Sequence, residues 1–208
     1  MSRELILRHP DIRQFTTVWM DSLRGGESML VNTNKLIRFY DGATGLKTGS
    51  TGSAGYCLSA TAEKNGMELI AVVLKGKTSD ERFSDAKSLL NYGFSTWSLV
   101  TVTPDEVLPP VPVTLGVRGT VQPVLTSENT LLVEKTLANG LTKEVALAES
   151  VAAPVYAGDT LGQLTVRDAA GNTVAELPIL AGEDVGHVTF VQMLGRCLAR
   201  GFCVGPRS

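Results

Sequence analysis

The sequence has 208 residues, 43% hydrophobic and 19% charged, with a formal net charge of −2. That length holds one large or two small domains, the composition is that of an ordinary globular protein, and the charge leaves no footprint for nucleic acid. Three cysteines, Cys57, Cys197 and Cys203, make no disulfide framework; no apolar stretch is long enough to span a bilayer, and no metal-ligand spacing occurs.

In chain order, Ser2 is expected to cap a short helix, with Leu5 and Ile6 apolar, that stops at His9-Pro10. Met1 to Glu4 run straight into this pattern without a signal peptide, and one short helix cannot close a core, which leads to the expectation of an incomplete N-terminus. Asp11 to Trp19 is mixed, Arg24 to Glu27 is a loop, Asn32 to Asn34 a turn near a cleft, and Leu36 to Tyr40 a short strand or extended segment. Then comes the run Asp41 to Gly52, with Lys47-Thr48-Gly49 at its centre. Flanking glycines let another backbone or a ligand approach closely. Leu46, where a phosphate-binding loop needs glycine, excludes that reading. A Gly/Ser turn at Thr51 to Gly55 leads into a hairpin: Tyr56 to Lys64, the turn pair Asn65-Gly66, and the apolar strand Met67 to Lys75. The Lys-Thr strand is therefore expected at or near a sheet edge with one side open, and Cys57 as a buried small hydrophobe.

Ser79 to Trp97 reads as the best helix, with Ser79 as N-cap, Asp80 and Glu81 at the positive end of the dipole, and Phe83, Ala86, Leu90, Phe94 and Trp97 on one face. Gly93 costs such a helix about 1 kcal/mol against alanine, so a close contact is expected there. Pro104, Pro109, Pro110 and Pro112 mark a linker and the start of a second domain. From Val113 to Leu180, short strands broken by turns at Ser127 to Asn129, Asn139-Gly140, Ala157 to Asp159 and Ala170 to Asn172 suggest a small β-sandwich or barrel. It holds no catalytic constellation: Asp159, Asp168, Glu176 and Glu183 are scattered. Gly182 to Val204 is a helix candidate with Gln192, Arg196 and Arg200 on one side and Phe190, Val191, Leu194, Leu198 and Phe202 mostly on the other. That pattern fits an interfacial membrane helix, a helix packing on its own domain being the alternative. His9 and His187 read as surface residues.

Lys47-Thr48-Gly49 on a strand, followed by this hairpin and helix, resembles the third motif of the penicillin-binding proteins and serine β-lactamases. Asn32-Thr33-Asn34-Lys35-Leu36, Gly45 to Thr51, Ala54-Gly55-Tyr56, and Glu81-Arg82 through Leu89-Leu90-Asn91-Tyr92-Gly93-Phe94 are more similar to the low-molecular-mass serine D-alanyl-D-alanine carboxypeptidases, over nearly the whole chain. The resemblance implies an α+β part followed by an all-β part: residues 1–98 as the C-terminal portion of a β-lactamase/transpeptidase-like, penicillin-binding fold, 99–183 as a β-rich domain, and 184–208 as an amphipathic tail. It implies that Lys47, Thr48 and Gly49 hold a substrate's terminal carboxylate, that the Ser50 N–H is one oxyanion-hole donor, and that Arg82 is a second cationic contact, a solvated arginine being the alternative. The implied partners are a peptidoglycan stem peptide, β-lactams in the complete enzyme, and a membrane surface through the tail. No cofactor, metal or nucleic acid is expected. The implied location is the extracytoplasmic face of the cell membrane, with the export signal upstream of Met1. The family's nucleophile motif, S-x-x-K, and its second motif, S-x-N, are expected to be missing, since Ser2, Ser22, Ser88 and Ser95 have no lysine three positions on. Two classes of function follow. One is a carboxypeptidase that trims the terminal D-alanine of stem peptides through an acyl-serine, present here as a fragment inactive by itself. The other is a non-catalytic relative serving as a structural or membrane-docking module; a β-lactamase is a weaker third.

Overall fold

The computed structural model describes residues 1–195. The chain divides into two compact units, Met1–Leu99 with Leu132–Thr136, and Val100–Leu131 with the residues from Leu137 onward.

The first unit begins with helices α1 (Ser2–Arg8) and α2 (Arg13–Thr16), a small hairpin of β1 (Met20–Leu23) and β2 (Ser28–Val31), and the one-turn helix α3 (Leu36–Phe39). Strands β3 (Ala43–Thr51), β4 (Gly55–Lys64) and β5 (Met67–Gly76) form an antiparallel sheet in that order, followed by helix α4 (Ser79–Thr96) and strand β6 (Trp97–Thr101). Asn65 (φ 52°) and Gly66 (φ 76°) both take the left-handed conformation that the β4–β5 hairpin requires.

Register decides what each face of the sheet carries. Opposed residues point to the same side, so Leu46, Ala60 and Ala71 form one row, and Thr48, Leu58 and Val73 another. This is the α4 face: Leu58, Ala60, Ala62, Ala71 and Val73 pack with Phe83, Ala86 and Leu90 of α4 and with Leu36. Full burial of a Leu, Val or Phe side chain is worth about 1.5–3 kcal/mol, so this cluster fixes α4 against the sheet. The alternate row, Lys47, Ser59 and Val72, lies on the other face, where α1 approaches through a Ser2–Ser59 hydroxyl contact of 2.9 Å. Gly93 meets the expectation of a close contact, since a Cβ there would clash with Leu69 Cδ1.

Four local expectations are corrected. Leu36–Phe39 is helical rather than extended: Asn34 Oδ1 accepts the Leu36 N–H at 3.2 Å, and Leu36 is fully buried. Ser2 does not cap α1, because its hydroxyl is engaged by Ser59. Helix α4 is capped by Thr78 rather than Ser79; Thr78 Oγ1 accepts the Glu81 N–H at 3.1 Å, while the Glu81 carboxylate takes the Lys77 N–H. Cys57 is half-buried rather than buried, because Gly49 opposite it offers no side chain to cover it.

The second unit is built on β7 (Val111–Thr114), β8 (Thr120–Val121), β9 (Pro123–Leu125), β10 (Thr130–Glu134), the short helix α5 (Lys135–Ala138), β11 (Thr142–Leu147), β12 (Val151–Ala152), β13 (Thr160–Arg167) and β14 (Thr173–Ala181), with β10 and α5 overlapping the segment assigned to the first unit. One sheet has the order β11-β13-β14-β9, another the order β12-β7-β8, and β10 pairs with β6. The long strands β13 and β14 serve two cores. Leu161 and Ala181 join Val111, Val113, Val121, Val155 and Val185, whereas Leu164, Val166, Leu177 and Ile179 join Val102. Val188 is also buried. A helix starts at residue 190 and continues to the limit of the description at 195, with Phe190, Val191 and Leu194 exposed. Arg196, Cys197, Leu198, Arg200, Phe202, Cys203 and Arg207 lie outside the described residues. Among the described residues no helix is long and apolar enough to cross a membrane.

Candidate functional site

Strand β3 places Lys47-Thr48-Gly49 on the free edge of its sheet, with Lys47 opposite Ser59, Thr48 opposite Leu58 and Gly49 opposite Cys57. Lys47 is exposed, its ammonium donates to the Thr48 carbonyl, and among the described residues no carboxylate pairs with it. A Cβ added at Gly49 would meet nothing within 4 Å. Among the described residues no neighbour therefore accounts for a glycine there, and the strand is open where the motif ends. Ser50 follows, exposed, opposite Tyr56. An uncompensated cation, a hydroxyl on the next residue and an unobstructed backbone edge together suit a carboxylate.

Arg82 is not solvated. It is 7% exposed, and its position at the start of α4 carries it to the end of β3. One terminal nitrogen donates to the carbonyls of Gly49 and Cys57, both at 3.3 Å, and the other to Ser79 Oγ at 3.4 Å. The guanidinium also sits over the rings of Phe83 at 4.8 Å and Tyr56 at 5.4 Å. Its Nε is buried without a hydrogen-bond partner among the described residues. Gly49 and Cys57 are paired across β3 and β4, so Arg82 ties that rung to the helix while holding a positive charge beside the motif's last residue.

A second support comes from residues 32–36. Asn34 Nδ2 donates to the Gly45 carbonyl at 2.9 Å, and Asn32 Nδ2 to the Val18 carbonyl at 2.9 Å. Lys35 bonds Asp80 in the first turn of α4 at 2.8 Å, a hydrogen bond that, with the lysine's charge, holds the Asp80 carboxyl below its ordinary range. Thr33 Oγ1 lies 2.7 Å from Thr48 Oγ1. Sequence reasoning placed Asn32 and Asn34 near the cleft as turn formers; it missed Thr33 and the burial of Arg82. Spacing carries a weak signal for the first, a short polar side chain between two Asn residues fifteen positions before Thr48, and none for the second.

The expected absence of both serine spacings is corrected by the sequence itself. Ser84 has Lys87 three residues on, and Ser127-Glu128-Asn129 has the S-x-N form. Neither makes a site. Ser84 is exposed and lies beyond the first four residues of α4, where backbone N–H groups are committed to the helix ladder and none is left to stabilise an oxyanion. Asn129 serves the second unit, where its side chain donates to the Val102 carbonyl at 3.0 Å. Among the described residues no group of three His, Cys, Asp or Glu side chains is arranged to hold a metal ion.

The family model for D-alanyl-D-alanine carboxypeptidase matches residues 1–78, and that for the penicillin-binding protein 5 C-terminal domain matches residues 100–187. The D-alanyl-D-alanine carboxypeptidase DacF of Bacillus subtilis (strain 168) is 34% identical over 203 residues, 95% of this chain and 52% of the relative. DacC of Escherichia coli (strain K12), another D-alanyl-D-alanine carboxypeptidase, is 30% identical over 143 residues, 68% of this chain and 36% of that protein. The chain thus spans about half the length of the first of these relatives and less of the second. In fold, penicillin binding protein 5 from Haemophilus influenzae is similar with a TM-score of 0.71 at 23% identity, over 88% of this chain and 54% of that one.

Proposed function

We propose, on the premise that this chain belongs to the D-alanyl-D-alanine carboxypeptidase family and spans the C-terminal half of its members, that it forms the carboxylate-recognising wall of a serine D-Ala-D-Ala carboxypeptidase. The substrate is a peptidoglycan stem peptide, and the reaction removes its terminal D-alanine. Lys47 and Thr48 hold the terminal carboxylate at the open edge of β3, with Gly49 leaving room for the peptide backbone. Arg82 adds positive potential from the helix side. The Ser50 N–H is one of two donors to the oxyanion. The attacking serine and its activating lysine come from a segment that precedes Met1, and the acyl-serine formed on release of D-alanine is then hydrolysed. β-Lactams acylate the same serine.

The observation that carries this reading is that, among the described residues, Lys47 beside Thr48 has no ion-pair partner and Gly49 is unobstructed on the outer edge of β3. The experiment joins this chain to a family N-terminal segment bearing S-x-x-K and compares wild type with Lys47→Ala in labelling by a fluorescent penicillin. Severe loss is expected; near wild-type labelling sinks the assignment.

We also place the end of the β-rich domain at Val188, because Val185 and Val188 are buried with it, and the membrane-facing tail after that residue, on the extracytoplasmic side. The second reading, a non-catalytic module, is favoured by one observation: the S-x-x-K spacing found here, at Ser84, lies inside a helix and away from β3's motif residues in sequence. Intact-mass analysis of the natively expressed protein after exposure to a β-lactam separates the two: a penicilloyl increase supports the first reading, and its absence supports the second.

A further inference from the structure

Thr33 faces the motif threonine across the open edge of β3, with 2.7 Å between the two hydroxyl oxygens. We propose that Thr33 is a positioning residue that donates its proton to Thr48 and so leaves the Thr48 O–H directed at the substrate carboxylate. The inference rests on the function proposed above.

Proton count decides the direction of the Thr33–Thr48 bond. Each hydroxyl has one proton to give and two lone pairs that accept. In the pair, either oxygen can donate. If Thr48 gave its proton to Thr33, it would meet a carboxylate with lone pairs only. An anion at the edge therefore selects the chain in which Thr33 donates to Thr48 and Thr48 donates outward, and each bond in such a chain polarises the next.

The backbone of residue 33 is held on both sides. Asn32 Oδ1 accepts the Asn34 N–H at 2.9 Å, Asn34 Nδ2 reaches Gly45 O on β3 itself at 2.9 Å, and Asn34, 2% exposed, uses its Oδ1 for the Leu36 N–H. Lys35 is anchored to Asp80 at 2.8 Å. The bracket thus touches β3 at Gly45 and at Thr48, on either side of Lys47. A donor fixed this way needs no reorganisation when the anion arrives. Thr33 is itself exposed, so its side chain can be changed without opening the core.

The test uses the complete enzyme, in which a segment bearing S-x-x-K precedes this chain. Thr33→Val keeps the shape and removes the donor. It should lower kcat/KM for a peptide ending in D-Ala-D-Ala, and the rate of acylation by benzylpenicillin, about fivefold, the worth of one neutral hydrogen bond, chiefly through KM. Thr33→Ser should restore both to within about twofold. In a Thr48→Val background, Thr33→Val should have no further effect, because Thr33 acts only through Thr48. An unchanged Thr33→Val enzyme, a Thr33→Ser enzyme as impaired as Thr33→Val, or the same fivefold loss in the Thr48→Val background would overturn the proposal. Lys47→Ala run alongside keeps the two levels apart. If it acylates normally, the reading of the site has failed. If it is impaired while Thr33→Val is not, only the role of Thr33 has failed.

Discussion

Arg82→Ala separates a structural clamp from a solvated charge. The substitution removes three hydrogen bonds of 3.3–3.4 Å and two ring contacts. Hydrogen bonds from a charged donor are worth about 1.5–3 kcal/mol, taken at the low end for these lengths, and each ring contact about 0.5 kcal/mol, against which stands relief of several kcal/mol from no longer burying a cation. The net loss is about 2 kcal/mol, roughly 10 °C in the Tm of a unit near 100 residues. Both tryptophans of the chain, Trp19 and Trp97, belong to the first unit, so their fluorescence during urea unfolding reports that unit alone. Arg82→Lys should fall between wild type and alanine, since an ammonium cannot reach Gly49 and Cys57 with a planar fork. A loss below about 0.5 kcal/mol, the range of ordinary surface substitutions, would refute the clamp. In the complete enzyme the same variant should raise KM for a peptide with a free C-terminal carboxylate more than for its amide; equal effects would leave Arg82 a clamp alone.

Leu58→Ala, at a position 1% exposed beneath α4, should cost about 2–5 kcal/mol in the same unfolding assay; a smaller loss would show that the α4 face is not the core of the unit. The Asp168 carboxyl is held below its ordinary range, first by the Asn172 side chain and then by backbone N–H groups, so its contribution is present above the unfolded pKa and lost as pH falls through the lower folded one. An NMR titration should give a midpoint below that of an unstructured aspartate, about 3.9; a midpoint at or above that value contradicts the turn geometry. A chain ending at Thr189, which keeps Val185 and Val188 in place, should lose binding to anionic vesicles that the intact chain retains in part at high salt; equal co-sedimentation removes the membrane tail. The chain by itself should form no stable adduct with a β-lactam. A penicilloyl mass increase abolished by Ser50→Ala, Ser53→Ala or Ser84→Ala would reveal a nucleophile in it.

The sequence made the β3–β4–β5 hairpin sheet and α4 legible because each carries a redundant signal: an Asn-Gly turn between apolar runs, and a helical stripe through Phe83, Ala86 and Leu90. Gly93 was readable for the same reason, since a glycine that costs helix stability points to a neighbour, here Leu69. The parts that were misread have their cause outside the local pattern. Leu36 to Phe39 looks extended by composition, and turns helical through the Asn34 side chain and the burial of Leu36. The β1–β2 hairpin is almost wholly exposed, so no alternation marks it. At the site, Lys47 to Gly49 stood out as a motif, whereas the support from Arg82 and Thr33 depends on contacts across 33 and 15 residues of sequence, which no spacing rule reports. Ser84 and Lys87 show the converse: the right spacing in a helix interior that gives it no chemistry.

The central claim is that the Lys47 edge of β3 recognises the carboxylate of the substrate. Its most direct test is the second-order rate of acylation by benzylpenicillin in the complete enzyme, with and without Lys47→Ala. Loss of a fixed charge of this kind should slow acylation by roughly two to three orders of magnitude, with unfolding by urea unchanged because Lys47 is exposed and outside the core. A Lys47→Ala enzyme that acylates within about threefold of wild type, too little for a lost charge–carboxylate contact, would contradict the account.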